Sequence, residues 1–290
     1  MPFDLSPIGP TLGAIIEGID ARDLSDADDA ALKAAFAEHR VLVLRDQSLG
    51  ADDQVTFSAR FGPLYRMPYV KPLADHPDVI AVLKEADEVK VSTFGSWWHA
   101  DFSYLEEPPV YSILQAHELP PAGGDTLFAD LCTAYDALSD GMKAMLSPLK
   151  VMHSGHIYGT KLAPDGEKAR MRSVEVSTGH VEADVERAHP LVRLHQPSGR
   201  PALFCSPTYT TRLEGMTATE SASILGYLYE HIARPEFTIR QRWQAGDLLM
   251  WDNRAVVHLA VNDYDGHRRL LHRTTVASER PVPAFNQEDS

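Results

Sequence analysis

Cysteine is nearly absent: Cys132 and Cys205 are the only two in 290 residues, and they stand far apart. They cannot form a disulfide framework and are too few for a cysteine-rich zinc site. A reducing compartment follows by default, and the cytoplasm is the expected location. Long apolar runs are missing as well. No stretch approaches the ~18 residues that a membrane helix requires, and Met1-Pro2-Phe3-Asp4 lacks the basic-then-apolar texture of an export signal. Positive charge is scarce, with 27 Lys and Arg against 41 Asp and Glu and a net charge of −14. Such a surface repels phosphate backbones and anionic lipid, so neither nucleic acid nor membrane is an expected partner. A small anion remains possible where a few arginines gather.

The length suits one domain spanning 1–290 with a sizeable core. Residues 25–40 read as a helix. Ser25 can cap it, acids crowd its first turn, and Leu32, Ala35, Phe36 and His39 share a face. Residues 52–61 read as a second helix. Thr217-Ala218-Thr219-Glu220 is a capping box that opens a third, with Ile224, Leu225, Leu228, Tyr229 and Ile232 as its apolar stripe. Short β-branched or aromatic runs dominate elsewhere: 41–44, 79–83, 110–116, 192–195, 202–205, 237–243 and 248–251. Gly, Pro and Asp punctuate them, as in Pro120-Pro121 and Gly123-Gly124-Asp125. This pattern predicts a mainly β sandwich or barrel with flanking helices. Residues 157–190 are polar and poor in pattern, which suits an insert or lid. Residues 286–290 read as a loose tail.

The chemistry concentrates in two segments. Trp98-His99-Ala100-Asp101 places a histidine and a carboxylate two residues apart, so on extended chain they point the same way. Trp251-Asp252-Asn253-Arg254-Ala255-Val256-Val257-His258 supplies a second histidine just past an apolar strand. Two histidines and one carboxylate hold non-haem Fe(II) on one face and leave the other open. Asp252 or Asn253 could orient such ligands from behind. Arg269 and Arg273 are four apart, so a strand would turn both to one side. Two cationic forks there could hold two anions. Arg268 reads as a surface charge.

Together these segments resemble the taurine dioxygenase family of Fe(II)/2-oxoglutarate-dependent oxygenases, which includes aryloxyalkanoate dioxygenases. The matching stretches are 97–101, 120–128, 189–193, 251–258 and 267–275. The resemblance implies a double-stranded β-helix, or jelly-roll. It implies His99, Asp101 and His258 as iron ligands, with 2-oxoglutarate and O2 as co-substrates. Thr126 and Arg269 match the residues that hold the distal carboxylate of 2-oxoglutarate. Arg273 matches an arginine that faces the substrate anion in sulfonate-using members. The implied reaction yields succinate, CO2 and a hydroxylated substrate.

Where the taurine enzyme carries polar substrate contacts, Met67 and Val70 stand here, and Gly95 replaces an asparagine. Met67 and Tyr69 become candidate substrate contacts, with Phe94, Phe102 and Tyr104 as further walls. The expected substrate is a small organic anion with an apolar body: a sulfonate, sulfate ester, carboxylate or aryloxyalkanoate. A biosynthetic hydroxylase of a free amino acid is the alternative. A zinc hydrolase would leave Thr126 and Arg269 without a role. Family analogy suggests a homodimer or homotetramer.

Overall fold

The computed structural model describes residues 2–90, 93–160 and 173–285. Of the expected insert, 161–172 lie outside this set, as does the expected tail, 286–290. The strands are β1 (Asp4–Pro7), β2 (Ala14–Glu17), β3 (Val41–Leu44), β4 (Ile80–Lys84), β5 (Pro109–Glu118), β6 (Thr126–Asp130), β7 (Lys150–His153), β8 (Arg187–Pro190), β9 (Val192–His195), β10 (Arg200–Leu203), β11 (Thr210–Leu213), β12 (Thr238–Gln241), β13 (Leu248–Asp252), β14 (Val256–Ala260) and β15 (Arg269–Ser278). The helices are α1 (Asp26–His39), α2 (Ala51–Ala59), α3 (Leu131–Asp136), α4 (Asp140–Leu146) and α5 (Ala218–Ile232).

One seven-stranded sheet runs in the order β1-β2-β3-β13-β5-β15-β4. Only β2 and β3 pair in parallel; the other neighbours are antiparallel. Three smaller sheets complete the fold: β12-β6-β14, β11-β7-β8 and β10-β9. The architecture is the expected jelly-roll with flanking helices.

Strand periodicity explains how the layers form. Successive side chains of β3 and β13 point to opposite faces. Val41, Val43, Leu249 and Trp251 meet Phe128 of β6 and Val256 of β14 between the sheets. Leu42, Leu44, Leu248 and Met250 pack outward against Leu32 and Phe36 of α1 and Phe57 of α2. Both strands are buried on both faces, so they read as continuous apolar runs rather than alternating ones. A separate core joins α3 and α5 to the smaller sheets through Leu131, Leu203, Leu225 and Leu228.

Helix ends follow the local chemistry. The Ser25 hydroxyl accepts from the Asp28 N–H, and the Asp28 carboxylate accepts from the Ser25 N–H. Thr217 and Glu220 reciprocate in the same way at α5. Arg40 ends α1 in the left-handed region, at φ 59°, and ion-pairs in the interior with Asp130 at 3.0 Å. Asp130 also caps α3, accepting from the Cys132 and Thr133 N–H groups.

The described parts of 157–190 are less loose than their composition suggests. Tyr158, Val174 and Ala183 are buried with Met67, Val70, Phe102, Tyr104 and Tyr209. The last of these residues form β8, paired with β7. No described helix is long and apolar enough to cross a membrane.

Candidate metal centre and anion pocket

His99 lies on extended chain that pairs with β14. Its N–H donates to the His258 carbonyl at 3.0 Å, and the His258 N–H donates back at 2.8 Å. This reciprocal bridge sets the two imidazoles side by side, with ring centroids 4.1 Å apart. Asp101 follows two residues later and points to the same spot. Its Oδ1 lies 3.6 Å from His99 Nε2 and 3.8 Å from His258 Nε2. One donor atom from each residue falls within 4.8 Å of the others, and all three side chains are buried. Among the described residues no other trio of His, Cys, Asp or Glu meets that test.

Protonation suits ligation. His99 Nδ1 donates to the Trp97 carbonyl at 2.7 Å, which turns Nε2 toward Asp101. Burial, reinforced by nearby His99, holds the His258 imidazole well below its usual range and so neutral. Burial alone would raise the Asp101 carboxyl. Arg273, helped by His258 and His99, outweighs burial and keeps it well below the carboxylate range. The donors are two imidazole nitrogens and one carboxylate oxygen, a set that fits iron(II).

Asp101 is held by residues that sequence reading only partly found. Arg273 Nη1 donates to Oδ1 at 3.0 Å, and Nη2 lies 2.6 Å from Oδ2. Ser112 of β5 donates to Oδ2 at 2.7 Å. Asn253 Oδ1 accepts the Asp101 N–H at 3.2 Å. The expected second-line role thus falls to Asn253. Asp252 instead serves the core, accepting from Arg254 and from His195. Ser112 carried no sequence signal, because nothing in Val110–Ala116 distinguishes it from an ordinary strand residue.

A cavity adjoins the candidate metal centre. His99, His258, Thr126, Arg269, Arg273 and Trp251 line it, with Phe94, Gly95, Val82, Leu114 and Ala260. Thr126 opens β6 and Arg269 opens β15. Arg269, Leu271 and Arg273 alternate onto one buried face, as strand geometry requires. The Arg269 guanidinium sits over the rings of Trp243 and Tyr264, 5.5 and 5.9 Å from their centroids. No carboxylate of the described residues reaches it at ion-pair distance, its Nε has no hydrogen-bond partner, and burial pulls its pKa down. Trp243, also absent from the sequence reading, donates to Thr126 Oγ1 at 3.0 Å. Gly124 has a φ of +69°, and a Cβ there would come 3.1 Å from Arg269 Cδ. Arg268 is partly exposed and ion-paired to Glu85 and Glu118, as a surface charge should be.

A second cavity of about 230 Å³ lies on the other side of His99. Phe94, Trp97, Ile157, Tyr158, Val176 and Tyr209 give it an apolar wall, with Thr93, Ser96 and Thr208 as polar points. Phe94 belongs to both cavities. Met67 is buried behind this wall, where its sulfur accepts from Thr275 Oγ1. Tyr69 stacks on His180 and packs on Tyr158, and it faces a shallow surface groove with Lys71 and Glu175. A separate cleft of about 650 Å³, lined by Lys150, Arg187, His189 and Arg280 among others, shares no residue with the candidate centre.

Comparison with known proteins places this geometry. Residues 4–275 match the family described as taurine catabolism dioxygenase TauD, TfdA. The chain is 34% identical to an alpha-ketoglutarate-dependent sulfate ester dioxygenase of Pseudomonas putida, covering 99% of this chain and 93% of that one. It is 30% identical to an (S)-phenoxypropionate/alpha-ketoglutarate-dioxygenase of Sphingobium herbicidovorans, covering 96% of each. The solved structure of a taurine dioxygenase from Burkholderia xenovorans superposes with a TM-score of 0.79 at 31% identity, over 98% of this chain and 93% of that one. The chain belongs to the TauD, TfdA family and is a dioxygenase dependent on iron(II) and 2-oxoglutarate.

Proposed function

We propose that this dioxygenase hydroxylates a small organic anion with an apolar body, at a carbon next to a heteroatom. The substrate class is a sulfonate, sulfate ester, carboxylate or aryloxyalkanoate. One observation carries the 2-oxoglutarate part of the reading: a buried Arg269 without a carboxylate partner among the described residues opens onto the same cavity as His99 and His258. A buried cation in that state is costly unless an anion joins it. The reading is supported by the relatives, whose names specify a sulfate ester and an aryloxypropionate.

His99, Asp101 and His258 would hold the iron. Thr126 and Arg269 would bind the distal carboxylate of 2-oxoglutarate, the hydroxyl as a neutral donor and the guanidinium as a fork. When bound, the iron supplies oxidative decarboxylation of 2-oxoglutarate by O2, giving succinate and CO2, and hydroxylation of a substrate C–H bond. Arg273 is assigned to the substrate anion, which would share its guanidinium with Asp101. The aromatic cavity beside His99 takes the apolar body and excludes water. Met67 and Tyr69 would support that wall from behind, Tyr69 through its contact with Tyr158. A hydroxyl placed beside oxygen or sulfur gives a product that fragments and releases the anion or a phenol.

An amino-acid substrate would need a carboxylate for its ammonium, and the lining of this cavity includes none among the described residues. The cytoplasmic and homo-oligomeric assignments rest on two buried free cysteines and on family analogy, with a dimer or tetramer as the reading. The test is succinate production by iron-loaded enzyme across alkyl sulfates, sulfonates, aryloxyalkanoates and amino acids, beside His99→Ala. Stimulation by one anion class, lost in the variant, is the expected result. Stimulation by amino acids alone would overturn the substrate class.

A further inference from the structure

We infer that Ser112 is a positioning residue that makes Asp101 a one-oxygen ligand. The inference rests on His99, Asp101 and His258 being the metal ligands. The two oxygens of Asp101 stand in different surroundings. Oδ1 is the one nearer both imidazoles. Oδ2 accepts the Ser112 hydroxyl at 2.7 Å and lies 2.6 Å from Arg273 Nη2.

The direction of the Ser112 proton is forced. The hydroxyl oxygen is approached by Arg273 Nη2 at 2.9 Å and by Asn253 Nδ2 at 3.0 Å. Both are donors without acceptor capacity, so the single Ser112 proton can go only to the carboxylate. The Asn253 amide is oriented in turn. Its Oδ1 accepts from the Trp251 indole N–H at 2.9 Å and from the Asp101 N–H at 3.2 Å, which aims its Nδ2 at Ser112. A chain of fixed polarity therefore runs from Trp251 through Asn253 and Ser112 to Asp101 Oδ2. Ser112 is fully buried and stands opposite Trp251 and Thr275 in the sheet, which fixes where its hydroxyl points.

The consequence is a count of ligand positions. Two imidazoles and one carboxylate oxygen would hold the iron and leave its open face to 2-oxoglutarate and O2. A second carboxylate oxygen would compete for that face. Ser112 and Arg273 occupy Oδ2 and so keep it from turning to the metal.

The test compares anaerobic Co(II) binding and its visible absorption spectrum in wild type, Ser112→Thr and Ser112→Val. Thr and Val have the same shape and differ in the hydroxyl, so any overpacking cancels between them. The valine variant is expected to bind Co(II) about 10- to 100-fold more weakly than the threonine variant, the usual range for loss of an outer-shell partner. Its spectrum should also change, because the coordination number changes. Ser112→Ala adds no bulk and serves where the larger variants fail to fold; it should behave like Val. Matching affinity and spectra in Thr and Val, or Co(II) binding by Ala as tight as in wild type, overturns the role of Ser112. His99→Ala separates the underlying assignment. If that variant binds Co(II) as wild type does, the ligand set itself is wrong.

Discussion

Arg269 is the place where binding and stability should part company. It is 3% exposed and has no carboxylate within ion-pair distance among the described residues. Replacing it with methionine removes a guanidinium and keeps most of the volume. Truncating one side of a buried, hydrogen-bonded charge pair typically costs about 2–5 kcal/mol. The 2-oxoglutarate Kd should therefore rise roughly 30- to 5,000-fold. The unliganded fold should lose little. Desolvating an unpaired cation costs several kcal/mol, whereas contacts of a guanidinium with two rings return roughly 2 kcal/mol each at most. These nearly cancel, so the unliganded Tm should stay level or rise by a few degrees. Arg268→Met is the control on the neighbouring position. Its exposed pairs with Glu85 and Glu118 contribute about 0–1 kcal/mol, and 2-oxoglutarate binding should barely change. The assay is calorimetric titration of 2-oxoglutarate into Mn(II)-loaded protein without O2, together with thermal melts of the unloaded protein. Equal loss of affinity in both variants, or a collapsed fold in Arg269→Met, would refute the reasoning.

Three further outcomes are expected. Asp101→Ala strands the buried Arg273 and should cost the metal-free protein about 3–5 kcal/mol, most of it recovered in Asp101→Ala/Arg273→Met; urea unfolding of the four proteins decides, and additive losses would be contrary. Asp252→Ala removes the acceptor shared by Arg254 and His195 and should lower Tm by roughly 10 °C through a loss of similar size, so a melt within 2–3 °C of wild type would contradict its structural role. Burial pushes His153 down to about 3 and His189 down to about 4. An unfolded histidine titrates near 6.5. Between those limits the unfolded chain binds protons that the folded chain refuses, so stability falls as pH falls below about 6.5. The slope approaches about 1.4 kcal/mol per pH unit for each histidine. Unfolding in urea at pH 7.5, 6 and 5 measures it, and a flat profile would count against these two histidines.

The candidate metal ligands were legible as a set, from the joint order of the motifs and the family resemblance rather than from one spacing. His-x-Asp on extended chain should converge, and the two side chains do. Arg269 and Arg273 share a face for the same reason. Strands buried on both sides, β3 and β13, also declared themselves as apolar runs. What stayed hidden depends on contacts distant in sequence. Ser112 reaches Asp101 only because β5 lies between β13 and β15, and Trp243 reaches Thr126 because β12 pairs with β6, and Arg269 from the facing sheet. Residues 157–190 looked like an insert because the described apolar side chains buried there, Tyr158, Val174 and Ala183, are single ones with no period to read. Asp252 was a candidate to support the ligands, but the next residue took that part. In a strand-to-turn segment, adjacent side chains face different layers, and a one-residue difference decides between core and site.

The paired backbone of His99 and His258 has a consequence for how the protein handles metal. Two main-chain hydrogen bonds set the backbones of both histidines side by side, and the Trp97 carbonyl holds the His99 ring, so little of the binding energy should go into ordering the chain that carries the candidate ligands. In small zinc domains metal capture and folding are one event. Here the two are separable. A chelator should strip the ion and leave a standing cavity, and the emptied protein should reload from solution without passing through an unfolded state. Which divalent ion occupies the centre then follows supply and ligand preference in its surroundings, since the scaffold is ready for whichever ion reaches it first.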